Sequence, residues 1–404
     1  MQRTVTVGSR GESVRQANLS VILRGLHLSG AATRSDLVAS SGLTRSAVGA
    51  LVGELTDMGF VYEQRSQSDG SPGRPSPRVR VVTDHVTIAM EVLVDSLAVA
   101  VVSLGGHVLD RRRIDLARDE IPVEATVHEL GTLTIELLQA LPDTLVIHGV
   151  GVAIAGVVRR SEQSVIVAPN IGWRDVPLGE LIQCALPIDV PVVIANDGDL
   201  GALAEVRRGV ATGMSDVVYI SGEVGVGAGV ITDGRPLGGA EGFAGEVGHI
   251  PVNPGGLPCR CGSTGCWETE VGEQALLRRV GRPPGGGRAV VDEILAAAAI
   301  GDPDVLAAMD AHGRWLGFGL AGIINTFDPD VVVMGGLFAR LHPFVSEALE
   351  SELDRRVFDV VRQQVGVLPS GLGLDGPLLG AAEWAWERVL SDPAAAGRPR
   401  SWAI

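Results

Sequence analysis

The chain has 404 residues, 46% hydrophobic and 20% charged, which is material for a packed core and for two or three domains. No apolar run approaches the roughly 20 residues that a spanning helix needs, and Met1-Gln2-Arg3-Thr4-Val5 carries no apolar leader, so a soluble, cytoplasmic protein with no membrane partner is expected. A formal net charge of −15 argues against nucleic-acid binding by the chain as a whole.

The charge is uneven. Residues 1–80 hold ten arginines and six acids, or +4, which leaves −19 on the remainder. A basic head on an acidic body fits DNA contact confined to the head. Lysine is absent, so every fixed positive charge is a guanidinium, which reads as a composition bias and not as function.

Residues 15–28 place Leu19, Ile22, Leu23 and Leu26 on one helical stripe. Thr33 announces a second short helix, with Ser35 and Asp36 in its first turn, running to about Ser40. Ser41-Gly42-Leu43 is a tight turn, since Gly42 can take the positive φ such a bend wants. Thr44 can cap a third helix that buries Val48, Leu51, Val52 and Leu55 and exposes Arg45, Ser46 and Gly49. Helix, glycine turn and a helix with small polar and arginine residues at its start make a helix-turn-helix. Gly59 stops that helix; Phe60–Glu63 and Arg78–Val81 read as strands around a tip at Pro72-Gly73-Arg74-Pro75, the form of a wing. Such a tip could lay Arg74 and Gly73 into a narrow minor groove. The DNA-contacting set is therefore Ser35, Thr44, Arg45, Ser46, Gly73 and Arg74. The alternatives are a purely dimerising helix cluster, or a flexible linker around Arg74; the wing and the charge contrast favour DNA.

From Val82 the pattern changes. Val86–Val94, Leu97–Leu104 and His107–Ile114 read as strands, followed by a helix from Pro122 to Leu141 and strands at Leu145–Ala155 and Pro191–Ala195. Asp216–Ser221 and Val226–Thr232 form a strand pair, a long helix covers Pro303–Asn325, and Val331–Met334 leads into Gly335-Gly336. Alternating strands and helices with glycine-rich strand ends predict a layered α/β body of two halves with a cleft between them.

Three segments occur in order: Ala195-Asn196-Asp197, the Gly242–His249 run, and Cys259-Arg260-Cys261-Gly262-Ser263-Thr264-Gly265-Cys266-Trp267-Glu268. With Pro169–Trp173 and Asp328–Gly336 they resemble the signatures of the ROK family of repressors, sugar kinases and proteins of unassigned role, over residues 15–390. The resemblance implies a winged helix-turn-helix followed by a two-lobed, actin-like, sugar-kinase-like α/β fold. The expected domains are a DNA-binding head at 1–82, a smaller lobe at 83–195 completed by 381–404, and a larger lobe at 196–380 with the metal loop and an oligomer interface.

His249, Cys259, Cys261 and Cys266 offer one imidazole and three thiolates, a set that suits a closed, structural zinc site, and the resemblance implies the same four ligands. With no open position the zinc gets no catalytic task; the alternative is a reduced thiol cluster without metal. Cys184 stands alone and is expected to be buried.

For the sugar site the resemblance points to Asn170, Asn196, Asp197, Glu246, His249 and Glu268, carboxylates and amides of the kind that grip adjacent hydroxyls. Asn196 and Asp197 could instead cap a helix starting near Asp199, and Trp173 reads as a core or lid aromatic sooner than a stacking platform.

The kinase pattern is broken. Family kinases open with an Asp-x-Gly-Gly-Thr turn, and the matching stretch here is Glu91-Val92-Leu93-Val94-Asp95, with side chains where phosphates need bare backbone. Glu223, in Gly222–Gly227, sets a carboxylate where phosphate would sit. The expectation is a non-enzymatic, sugar-responsive regulator, most often a repressor, with operator DNA and a small sugar as partners and a homodimer or homotetramer as assembly. The rivals are a sugar kinase with a regulatory head and a regulator with a vestigial pocket.

Overall fold

The computed structural model describes residues 7–64, 77–116 and 122–396. The head comprises α1 (Val7–Ser29), β1 (Ala31–Thr33), α2 (Arg34–Ser41), α3 (Arg45–Asp57), β2 (Val61–Gln64) and β3 (Arg78–Val81). α1 starts eight residues before the predicted Arg15, there being no proline in Val7–Val14 to stop it. Its predicted stripe of Leu19, Ile22, Leu23 and Leu26 is buried against Leu37, Val48, Leu51, Val52 and Leu55.

Both short helices carry the predicted caps. Thr33 and Asp36 form a reciprocal capping box, and the Thr44 hydroxyl accepts from the Ala47 N–H at 3.3 Å. Gly42 turns the chain at φ +69, a left-handed conformation that disfavours a side chain. The three strands pair in the order β1-β3-β2, a small antiparallel wing base.

The body begins with β4 (His85–Val92), β5 (Ser96–Ser103), β6 (Val108–Asp115), α4 (Val123–Gln139) and β7 (Val146–Ile154). A side sheet of β8 (Val157–Arg159), β9 (Ser164–Ala168) and β10 (Trp173–Val176) follows, then α5 (Leu178–Ala185) and β11 (Val192–Asn196). The first main sheet has the order β11-β7-β4-β5-β6. Its inner strands β4 and β5 are buried along their whole length, so they read as near-continuous hydrophobic runs and not as alternation. One face packs on α4 and α5 through Leu130, Leu137, Leu178 and Ile182.

After α6 (Asp197–Arg208) come β12 (Val217–Gly222), β13 (Val226–Thr232) and β14 (Arg235–Pro236). Four helices follow: α7 (Glu268–Val271), α8 (Glu273–Arg279), α9 (Arg288–Ala299) and α10 (Pro303–Phe327). The chain ends with β15 (Val331–Gly335), α11 (Gly336–Arg356), α12 (Asp359–Arg362), β16 (Gly366–Pro369) and α13 (Gly376–Ser391). The second main sheet, β14-β13-β12-β15-β16, is covered by α10 and α11. α13 and α6 lie on the other face of the first sheet, where Ala89, Ala98 and Ala100 keep the surface low enough for close helix approach. α6 also packs on the second sheet through Ala202, against Val217, Tyr219 and Ile231. It is therefore the helix shared by both halves.

Cys184 departs from expectation. α5 buries Leu178 and Ile182, one turn apart, which turns Cys184 to the opposite side, where it is exposed.

Candidate sugar cleft and metal centre

The register of the parallel strands sets the cleft. Val92 of β4 pairs with Ile154 of β7, and Ile154 pairs with Asn196 of β11, so the three carboxyl ends stop in one row. Opposite them, Ser221 of β12 pairs with Gly335 of β15. Ligands of open α/β sheets bind outside such carboxyl ends. A cleft of about 540 Å³ lies there, with Asn170, Asn196, Asp197, Glu246, His249 and Glu268 all in its wall. Leu93, Val94 and Glu223 line it as well.

Two of these side chains already serve the fold. The Asn196 carbonyl oxygen caps α6 by accepting from Gly198 and Asp199, and its amide donates to the Gly156 carbonyl at 3.0 Å. Glu268 accepts from the Val226 N–H at 3.0 Å with one oxygen, while its other oxygen lies 3.6 Å from the Cys259 sulfur. Asp197 is the first residue of α6 and does not cap it. Burial pushes its carboxyl up to about 7; the Gly198 N–H and its own N–H oppose that, and Glu246 and Asp199 add to it. Burial likewise lifts Asp199 to about 6 against the pull of Arg160, with which it pairs.

The predicted metal ligands converge. One ligand atom each from His249, Cys259, Cys261 and Cys266 lies within 4.8 Å of all the others. The Cys261 and Cys266 sulfurs are 3.6 Å apart, and His249 Nδ1 is 3.7 Å from the Cys259 sulfur. A tetrahedron with arms of about 2.3 Å has edges of about 3.8 Å, so the donors fit a zinc ion. Burial pushes the Cys259 thiol up to about 12, so a thiolate at this position calls for a compensating cation. Gly265 is obligatory in the loop: at φ +72 a Cβ would lie 1.6 Å from the Asn253 carbonyl oxygen. With Nδ1 on the sulfur side, His249 turns Nε2 toward the cleft, 3.8 Å from Glu246 Oε2.

Within β4, two residues before Leu93 of the cleft wall, Glu91 is 1% exposed, and one of its carboxylate oxygens has no hydrogen-bond partner. Burial raises it to about 8, and Arg113 at 3.7 Å offsets only part of this. A Cβ on Gly336, the first residue of α11, would meet a Glu223 carboxylate oxygen at 3.1 Å, so that carboxylate lies beside the N-terminal end of a 21-residue helix. Such an end attracts anions.

Of the expected DNA-contact residues, Ser35, Thr44, Arg45 and Ser46 are exposed on α2, α3 and the turn before α3. Gly73 and Arg74 lie outside the described residues.

The ROK family signature matches residues 87–388. The chain belongs to the ROK family. It is 30% identical to the xylose repressor of Bacillus subtilis over 369 residues, 91% of this chain and 94% of that one. A solved ROK-family transcriptional regulator, a homologue of the E. coli Mlc protein, superposes with a TM-score of 0.77 at 28% identity, covering 94% of this chain and 97% of its own. A ROK glucokinase from Streptomyces griseus, solved with glucose and AMPPNP, gives a TM-score of 0.65 at 29% identity. It covers 75% of this chain and 99% of its own. The two-lobed α/β architecture read from the sequence is thus the observed one.

Two features had escaped the sequence. Arg260, between two of the cysteines, reaches across the cleft to donate to the Asn170 side-chain oxygen at 2.9 Å. Its place in Cys-Arg-Cys was the available signal. The second is a buried ionic joint between head and body at the far end of α6, which begins at Asp197 and ends at Arg207-Arg208. Arg207 and Arg208 both bind the Glu383 carboxylate of α13, at 3.0 and 2.8 Å. His27 of α1 accepts from the Gly105 N–H at Nδ1 and therefore donates from Nε2 to Glu383 at 3.0 Å. Arg208 also donates to the His27 and Gly105 carbonyls, satisfying the C-terminal end of α1. Arg24 and Arg207 share Glu387. Burial opposes ionisation of Glu383, but His27, Arg208 and Arg207 outweigh it and hold the carboxyl far below the usual carboxylate range. No local signal could show a contact between residues 356 positions apart.

Proposed function

We propose that this chain is a sugar-responsive, DNA-binding transcriptional regulator of the repressor type, acting in the cytoplasm as a homo-oligomer. The observation that carries the reading is that the match to a ROK regulator extends over 94% of the chain, whereas a kinase that is itself 99% covered accounts for 75%. The remaining share fits a head that a kinase lacks, residues 1–82, set before lobes at 83–195 and 196–380. In this reading the α3 face with Arg45 and Ser46, supported by Ser35 and Thr44, enters the major groove, and Gly73-Arg74 contacts the minor groove.

The sugar is gripped at one end of the cleft by Asp197, Glu246, His249 and Glu268, with Asn170 and Asn196 at its edge. Zinc, held by His249, Cys259, Cys261 and Cys266, would supply no chemistry beyond fixing the loop that carries Glu268 and aims the His249 ring. Sugar binding shifts the balance between arrangements of the two lobes, and α6 conveys the shift: a 12-residue helix spans about 16 Å between Asp197 and the Arg207-Arg208 joint with the head.

Phosphoryl transfer is outside this function. Leu93 and Val94 occupy the turn where phosphates need backbone, and the Glu223 carboxylate stands at the anion-attracting end of α11. One observation favours the rival reading, a kinase with a DNA-binding head: a carboxylate, Asp197, is retained at the cleft wall. Incubation of the pure chain with ATP and a panel of hexoses and pentoses separates the two. Robust sugar phosphorylation would establish the kinase; its absence, with sugar-dependent operator binding, establishes the regulator.

A further inference from the structure

The cleft has a second end that the sugar reading leaves unused. Its volume of about 540 Å³ lies in the range of pockets that enclose drug-sized molecules, and a single sugar ring is far smaller. The groups assigned to the sugar, Asp197, Glu246, His249 and Glu268, gather on one side, at the end of β11 and beside the metal loop. Two strands away, at the end of β4, the wall is Leu93 and Val94. Val92, Ile154 and Asn196 are in register, so this wall stands about 9.5 Å from the Asn196 side. Val224, at the tip of the β12–β13 turn, faces the same cleft, and both Val94 and Val224 are half-buried. Two acids, Asp95 and Glu223, also line the cleft from these same two turns. Apolar surface flanked by carboxylates accepts an uncharged, water-averse group and repels an anion.

We infer that the ligand of this cleft is a glycoside: a sugar ring at the Asp197–Glu246–His249 end carrying an apolar aglycone that lies on Leu93, Val94 and Val224. The inference rests on the sugar-site reading above and adds the chemical class of the effector. The same residues that block phosphate thereby form the specificity surface for the substituent.

Calorimetric titration of the full chain tests it. For glucose, xylose, mannose and N-acetylglucosamine, the free sugar is compared with its methyl, butyl and phenyl glycosides in both anomers, and with its 6- or 5-phosphate. The expected result is one sugar series that binds, with the butyl or phenyl glycoside about tenfold tighter than the methyl glycoside, a difference of about 1.4 kcal/mol. Leu93→Ser and Val224→Ser should each reduce that ratio toward one, weakening the butyl and phenyl glycosides more than the methyl glycoside. Val224 sits in a half-exposed turn, so its variant reports on the surface even if Leu93→Ser fails to fold. Equal affinities along the methyl, butyl and phenyl series would overturn the glycoside inference and leave the sugar site standing. Tighter binding of a phosphorylated sugar would also overturn it. No binding by any compound would overturn the inference together with the sugar-site reading.

Discussion

Replacing Glu383 by alanine should loosen the head from the body more than any other single change in α13. The side chain is 2% exposed and is the shared acceptor of His27, Arg207 and Arg208. Its removal leaves the Arg208 guanidinium and a buried imidazole without their anion and Arg207 with Glu387 alone, and breaking a buried pair in this way costs about 3–5 kcal/mol. The neighbouring Glu387 is a built-in control, because its side chain is 34% exposed and solvent screens its pairs with Arg24 and Arg207; Glu387→Gln should cost about 1 kcal/mol or less. Urea unfolding followed by tryptophan fluorescence reads both, since Trp386 is fully buried with its ring 5.8 Å from that of His27. Hydrogen exchange should show the C-terminal amides of α1 opening first. The milder Glu383→Gln should bind sugar normally yet transmit less of it, so that the sugar-induced change in operator affinity falls toward one. A loss below about 1 kcal/mol in Glu383→Ala, no greater than in the Glu387 control, would refute the joint as the link between head and body.

Other outcomes follow from the same geometry. The purified chain should hold about one zinc, and Cys261→Ser should lower both the zinc content and the melting temperature; Cys261 is exposed, so lost packing alone would leave the temperature unchanged. Glu91 has its folded pKa raised from 4.5 to about 8, so it withdraws stability as pH climbs through that window. Glu91→Gln should therefore be more stable than the natural protein at pH 9, by up to roughly 4–5 kcal/mol, with the gap closing below about pH 4.5; equal stability at pH 9 would count against a raised Glu91 pKa. Arg45→Ala, at an exposed position at the start of α3, should weaken specific operator binding by about 1–3 kcal/mol, measured at fixed salt. If binding to operator and random DNA weakened equally, Arg45 would be a phosphate contact and not a base reader.

Much of this was legible in the sequence for identifiable reasons. Leu19, Ile22, Leu23 and Leu26 give a helical period that only one packing satisfies, and Thr33 and Thr44 carry their caps locally. The metal loop is legible because its four ligands are 17 positions apart at most and its glycines are fixed by steric need, as at Gly265. The illegible parts depend on tertiary proximity. Asn196 could have been a cap or a sugar ligand, and the structure shows it capping α6 while it also lines the cleft. Cys184 was expected inside, but the orientation of α5 is set by Leu178 and Ile182. The joint of His27, Arg207, Arg208 and Glu383 joins three helices distant in sequence, each of which alone shows ordinary charged residues. Glu91 opens the stretch matched to the kinase turn; only the fold reveals it as a buried carboxyl with an unpartnered oxygen.

Operator affinity with and without sugars, at one stated salt concentration, bears most directly on the central claim. The account predicts specific binding by the full chain to a two-fold site, and a change in Kd of about tenfold or more, about 1.4 kcal/mol, with at least one sugar or glycoside. That change should vanish in a variant with Asp197→Ala and Glu246→Ala, while operator binding without sugar persists. An operator affinity that no sugar or glycoside alters, or binding that never exceeds that to random DNA, would contradict it.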